Sequence, residues 1–185
     1  MASSWLSAFT RAGGVVYHLS ALRHAKLWTD HCAATAQFLG AWQPPERDLV
    51  LVGTSAGYSL PRALFERFPV VTIAEPDPVA RRLFSRRFAA ATVTWLDDDF
   101  LGPRNGAMTI AGVAELRARF PSAAVLFCNV LGQLPILHDE ADGPAFSRFL
   151  GQFEQALSGG SWASYHDRVS GPWPPQVGGL SLDGA

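Results

Sequence analysis

The spacing of apolar residues changes along this chain, and each change marks an element. From Leu19 to Trp42 they recur at helical intervals, through Leu22, Trp28, Cys32, Thr35, Phe38 and Leu39. Thr29 or Asp30 is placed to cap a second helix there, and Pro44-Pro45 ends it. Residues 1–45 thus read as a helical preface. Leu49 to Val52 is apolar at every position, as a parallel strand buried on both faces requires. A turn, Gly53-Thr54-Ser55-Ala56-Gly57-Tyr58, leads to a helix expected over Ser59 to Phe68, with Pro61 in its first turn.

Val70 to Ala74 is the next strand, ending at Glu75-Pro76-Asp77-Pro78. Pro76 keeps Glu75 out of the helical region, Asp77 suits an N-cap and Pro78 the first helical position. The following helix sets Val79, Ala80, Leu83, Phe84 and Phe88 on one side and Arg81, Arg82, Arg86 and Arg87 on the other, a solvated face. Thr92 to Leu96 is a third strand before Asp97-Asp98-Asp99, a helix follows over Val113 to Arg119, and Ala123 to Phe127 is a fourth strand ending at Cys128-Asn129. Phe146, Phe149, Leu150, Phe153 and Leu157 stripe a last helix before a fifth strand, Trp162 to Tyr165. This alternation predicts an α/β fold with a mostly parallel sheet of about five strands, covered on both faces. Residues 169–185 are rich in Gly and Pro and read as an irregular tail.

Composition narrows the setting. A length of 185 residues suits one domain, and 48% hydrophobic residues can support a core. Fifteen Lys and Arg against sixteen Asp and Glu leave a net charge of −1, so neither nucleic acid nor an anionic membrane is an expected partner. Cys32 and Cys128 lie among apolar neighbours like buried free thiols, and no secretory leader or membrane-spanning run is legible. A cytoplasmic protein is expected.

In an open parallel sheet, ligands bind beyond the carboxyl ends of the strands, where the Gly53 turn lies. A dinucleotide fingerprint would need Gly at Ser55 and Tyr58, and a P-loop would need Lys near Ser59. Neither is present. Glu75 follows Gly53 at close to the roughly 20-residue spacing at which a strand-end carboxylate meets ribose hydroxyls. Asp97 to Asp99 and Asn129 furnish the ends of the third and fourth strands.

The segments VLVGTSAGYSL and VVTIAEPDP, with WLDDDF and VLFCNVLGQL after them, resemble the motifs of class I S-adenosylmethionine-dependent methyltransferases over residues 46–168. The resemblance implies a Rossmann-like doubly wound sheet and S-adenosylmethionine as cofactor. It implies that Gly53, Ser55 and Gly57 carry the methionine part, Glu75 the ribose and Asp98, with Asp97 close behind, the adenine, with Asn129 facing the same crevice. It departs from the family at Leu51, where an acidic residue is usual, at Ser55, where the middle glycine stands, and in its short C-terminal part. The family's amino-methylation run, Asn/Asp-Pro-Pro-aromatic, is replaced by Asn129-Val130-Leu131-Gly132. A small-molecule acceptor is therefore expected, with no residue assigned to catalysis.

Two other readings share these residues. A catalytically silent domain with the same fold would follow from loss of cofactor affinity at Leu51 and Ser55, and an exposed last strand could be covered by a second copy. Gly53 to Gly57 also satisfies G-x-S-x-G, which would make Ser55 a hydrolase nucleophile, with Asp139 or Asp142 and His166 to follow. Against that, only a helical preface precedes the first strand. The five histidines show no metal spacing, and His18 and His24 with Arg23 read as the polar face of a helix.

Overall fold

A computed structural model describes residues 14–102, 104, 109–134 and 143–166. The tail beyond 166 and the residues His138, Asp139 and Asp142 lie outside the described residues. The preface forms α1 (Gly14–Arg23), a 3₁₀ turn (Ala25–Trp28) and α2 (Thr29–Ala41). Neither expected cap acts as one: the residue before α2 is Trp28, which makes no side-chain cap, and the Thr29 hydroxyl donates to Lys26 O. The 3₁₀ turn makes the helix entry from backbone, so a side-chain cap is not required.

Five parallel strands follow: β1 (Asp48–Val52), β2 (Val70–Ala74), β3 (Val93–Leu96), β4 (Ala123–Cys128) and β5 (Trp162–Tyr165), in the order β3-β2-β1-β4-β5. Between them lie α3 (Arg62–Arg67), α4 (Pro78–Arg87), α5 (Ala111–Arg119) and α6 (Gly143–Ala156). Strand β1 is central, with Leu51 opposite Ile73 on one side and Leu126 on the other.

Alternation along the strands sorts two cores. Leu49, Leu51, Ile73 and Leu126 pack with Leu39, Leu64, Phe84 and Phe88 of α2 to α4 and the residue after α4. Val50, Val52, Val125 and Phe127 face Val113, Leu116, Phe149 and Phe153 of α5 and α6. Covering on both faces explains why β1 is apolar from Leu49 to Val52 and β4 throughout. The expected helix from Ser59 is shorter, because Pro61 is the residue before α3 with extended backbone, and Leu60 N–H closes a turn to Gly57 O. Among the described residues no helix is long and apolar enough to cross a membrane.

Candidate functional site

The direction of the strand order reverses at β1 and β4, and the crevice beyond their carboxyl ends is where such a sheet offers a ligand site. Four positive φ values gather there: Gly53 and Gly57 at +67°, Ser55 at +50° and Asn129 at +55°. A Cβ on Gly53 would stand 2.9 Å from Val130 Cβ, and one on Gly57 would stand 2.7 Å from Phe88 and 2.9 Å from Phe84. Gly57 is therefore required by the packing of the turn on α4, a role separate from approach to a cofactor. Gly53 lets the β4 loop close against the β1 turn.

The structure brings Glu75 onto that turn. Its Oε2 accepts the Ser55 N–H at 2.6 Å and its Oε1 accepts the Asp77 N–H at 3.1 Å. The side chain is buried, and burial raises its pKa; the two N–H bonds and the Arg81 charge pull it back down only in part. Asp77 caps α4 as expected, its Oδ1 accepting the Val79 N–H at 2.8 Å.

Arg81 does not belong to a solvated face. Its guanidinium donates to Glu75 O and Leu96 O, pairs with Asp97 and lies 5.4 Å over the Trp95 ring. A planar fork of donors suits this joining of two strand ends. Nothing in the helical periodicity of α4 distinguishes Arg81 from its neighbours, since two of its partners, Leu96 O and Asp97, are supplied by the tertiary position of β3.

The acidic turn is committed locally. Asp97 pairs with Arg81, Asp98 Oδ2 takes Arg119 of α5 at 2.7 Å, and Asp99 Oδ1 accepts the N–H groups of Leu101 and Gly102. Asp98, expected at the adenine, is thus held towards α5. Asn129 donates its N–H to Tyr165 O at 2.8 Å, tying the ends of β4 and β5.

The preface contributes residues that sequence reading left on its polar face. His18 is only 3% exposed, with Nδ1 3.0 Å from the Tyr58 hydroxyl and Nε2 3.5 Å from Asp77 Oδ2. This corrects its assignment to a solvated surface: α1 packs on α4, and His18 is on the packed side. Cys32 of α2 donates its thiol to Tyr58 O. Cys128 ends β4 beside Tyr165; burial pushes its thiol to about 12 and the Tyr165 phenol well above its usual value. Both stay protonated at neutral pH. Among the described residues no group of three His, Cys, Asp or Glu is arranged to hold a metal ion.

No protein-family model matches the chain, and no curated protein sequence does. Solved structures do. A DhpI–SAM–HEP complex superposes with a TM-score of 0.50 at 18% identity, covering 87% of this chain and 63% of the other. The fold is that of the class I methyltransferases. Two further structures match less closely. One is SAM-bound CalS10, an amino pentose methyltransferase from Micromonospora echinaspora involved in calicheamicin biosynthesis, with a TM-score of 0.35, 23% identity, and 61% and 41% of the two chains covered. The other is a SAM-dependent methyltransferase from Anabaena variabilis, with a TM-score of 0.41, 16% identity, and 76% and 59% covered. The chain spans between 41% and 63% of the length of these three structures. At the ends of β1 and β2, Gly53 N–H donates to Ala74 O and Ser55 N–H to the Glu75 carboxylate.

Proposed function

We propose that this chain is an S-adenosylmethionine-dependent methyltransferase acting on a small molecule. The observation that carries the reading is the Glu75 carboxylate, buried at the end of β2 and bonded to Ser55 N–H in the turn after β1. Each carboxylate oxygen accepts one backbone N–H, and an oxygen of an ionised carboxylate can accept a second donor. Two vicinal ribose hydroxyls match that capacity, so the residues present fit the cofactor.

When bound, S-adenosylmethionine supplies an electrophilic methyl group on sulfonium. Glu75 would hold the ribose, and the Gly53 turn would carry the methionine part on its backbone. Arg81 keeps the Glu75 strand end in place through Glu75 O. Orientation of the acceptor against the methyl group accounts for the acceleration without a dedicated acid or base. Calorimetric titration with S-adenosylmethionine and S-adenosylhomocysteine tests the reading. Binding that is lost in Glu75→Ala while the fold persists supports it. No heat and no thermal stabilisation at millimolar ligand refutes it and favours a silent domain.

One observation favours the hydrolase reading: Ser55 has the positive φ that a nucleophile elbow imposes. A base is also needed. The ring of His18 is engaged by Tyr58 and Asp77, and the Cβ of His166 lies at Gly132. Fluorophosphonate labelling that disappears in Ser55→Ala would reverse the preference. Among the described residues β5 pairs on one side only, with β4. A second copy of the chain on that edge is the partner we propose, and sedimentation velocity reports it as a dimer.

A further inference from the structure

Among the described side chains of helix α1, few are buried. Of its described side chains only His18 and Ala21 are buried, whereas Val15, Leu19 and Leu22 are 41%, 63% and 55% exposed. Ala21 brings a single methyl group, so His18 is the larger of the two buried side chains described on α1.

The imidazole stands between two segments of the site. Tyr58 belongs to the end of the glycine turn, and Asp77 to the turn after β2. Since an Nε2–H turned towards the Asp77 carboxylate leaves Nδ1 as an acceptor, the neutral ring takes the Tyr58 O–H at 3.0 Å. Asp77 N–H then donates to Glu75 Oε1, and Glu75 Oε2 accepts Ser55 N–H. The 3.5 Å contact with Asp77 and the Asp77 N–H bond thus connect α1 to the Oε1 side of the Glu75 carboxylate.

We propose that His18 is a positioning residue that latches α1 onto Tyr58 and Asp77, holding the Glu75 turn closed for the cofactor, and that protonation of its ring releases the helix. The latch itself requires only the contacts above; its effect on cofactor rests on the methyltransferase reading. A protonated ring keeps the Tyr58 contact only with the hydroxyl turned to accept, and it carries charge into a site 3% exposed. Burial lowers the His18 pKa, and the Asp77 charge and contact raise it back only in part. The undocked helix takes up its proton near the ordinary value of about 6.5, so docking is complete above that pH and is lost as pH falls below it.

The other titratable or charged groups facing the imidazole are Tyr17 beside it on α1, Tyr58 and Asp77, with Arg87 reaching the Tyr58 ring. Burial raises the Tyr58 pKa, so its phenol stays neutral between about pH 8 and 5.5. Glu75, whose pKa is raised, is the competing source of an acid-side effect.

Hydrogen exchange of the α1 amides in the full chain, corrected for intrinsic rates, reads the latch without any ligand. Protection in the wild type should fall as pH is lowered from about 8 to 5.5, and His18→Ala should lack that protection at both. His18→Gln keeps an acceptor for Tyr58 and a donor for Asp77 but does not titrate. It should retain wild-type protection at both pH values. Unchanged protection in His18→Ala, or acid loss persisting in His18→Gln, overturns the proposal; the second outcome assigns the effect to Glu75. With S-adenosylhomocysteine as probe, His18→Ala should raise Kd about tenfold. Lost protection with unchanged Kd overturns the positioning role, whereas no binding by the wild type refutes the methyltransferase reading and leaves the latch to stand on exchange.

Discussion

Ser55 occupies a backbone conformation that ordinarily favours glycine, at φ +50°, and costs a non-glycine residue about 1–2 kcal/mol. Its N–H is also the donor to the buried Glu75 carboxylate, and a hydrogen bond to a charged group contributes about 1.5–3 kcal/mol. The bond offsets the strain, so serine is compatible with the turn. Gly57 has no such latitude. It combines φ +67° with Phe84 and Phe88 inside the space of a Cβ. Gly57→Ala should therefore lower unfolding free energy by about 2 kcal/mol or more, as a reduced urea midpoint at unchanged slope.

Arg81 acts between elements. The clamp from α4 onto Glu75 O and Leu96 O holds β3, whose residues are only partly covered, against β2. Its aromatic base, Trp95, belongs to β3 and meets Phe84 of α4 edge-on at 5.4 Å between centroids. Helix α6 shows the opposite situation, a position the tertiary structure leaves unconstrained. Gly151 lies inside it, exposed, and a methyl group added there would meet nothing within 4 Å. Gly151→Ala should raise stability by about 1 kcal/mol through lower entropy of the unfolded chain, read as a higher melting temperature.

Across the molecule, the amino edge of the sheet is closed by charges far apart in sequence. Glu46, just before β1, accepts the Ser161 N–H at 2.7 Å just before β5, and Arg117 donates to Ala123 O at the start of β4. Burial pushes the Glu46 carboxyl up, but the Ser161 bonds, its own N–H and the Arg117 charge together hold it below the usual carboxylate range. A carboxyl lowered in the folded state contributes stability above its unfolded value of about 4.5, and that contribution is lost as pH falls through the folded value. Glu46→Gln should reduce stability at pH 7 and narrow the difference between about pH 7 and 3.5, as measured by urea unfolding at each pH.

The amino-acid pattern by itself determined the elements and their layering. Strand Leu49 to Val52 is apolar at successive positions because burial on both faces demands it, and Val71 to Ala74 of β2 are buried in the same way. Asp77-Pro78 declared the start of α4 through local backbone chemistry, as did the spacing from Gly53 to Glu75 through the length of a strand-helix-strand unit. Only tertiary structure decided which polar side chains work. His18 and Arg81 are indistinguishable in sequence from surface residues. Their partners, Tyr58, Asp77, Glu75 O and Leu96 O, are brought to them by the docking of α1 on α4 and of β3 on β2. The pairing of Asp98 with Arg119 was hidden for the same reason, since the fold alone brings α5 to it. Periodicity reports what each residue does with water, whereas a hydrogen-bond partner depends on where distant segments meet.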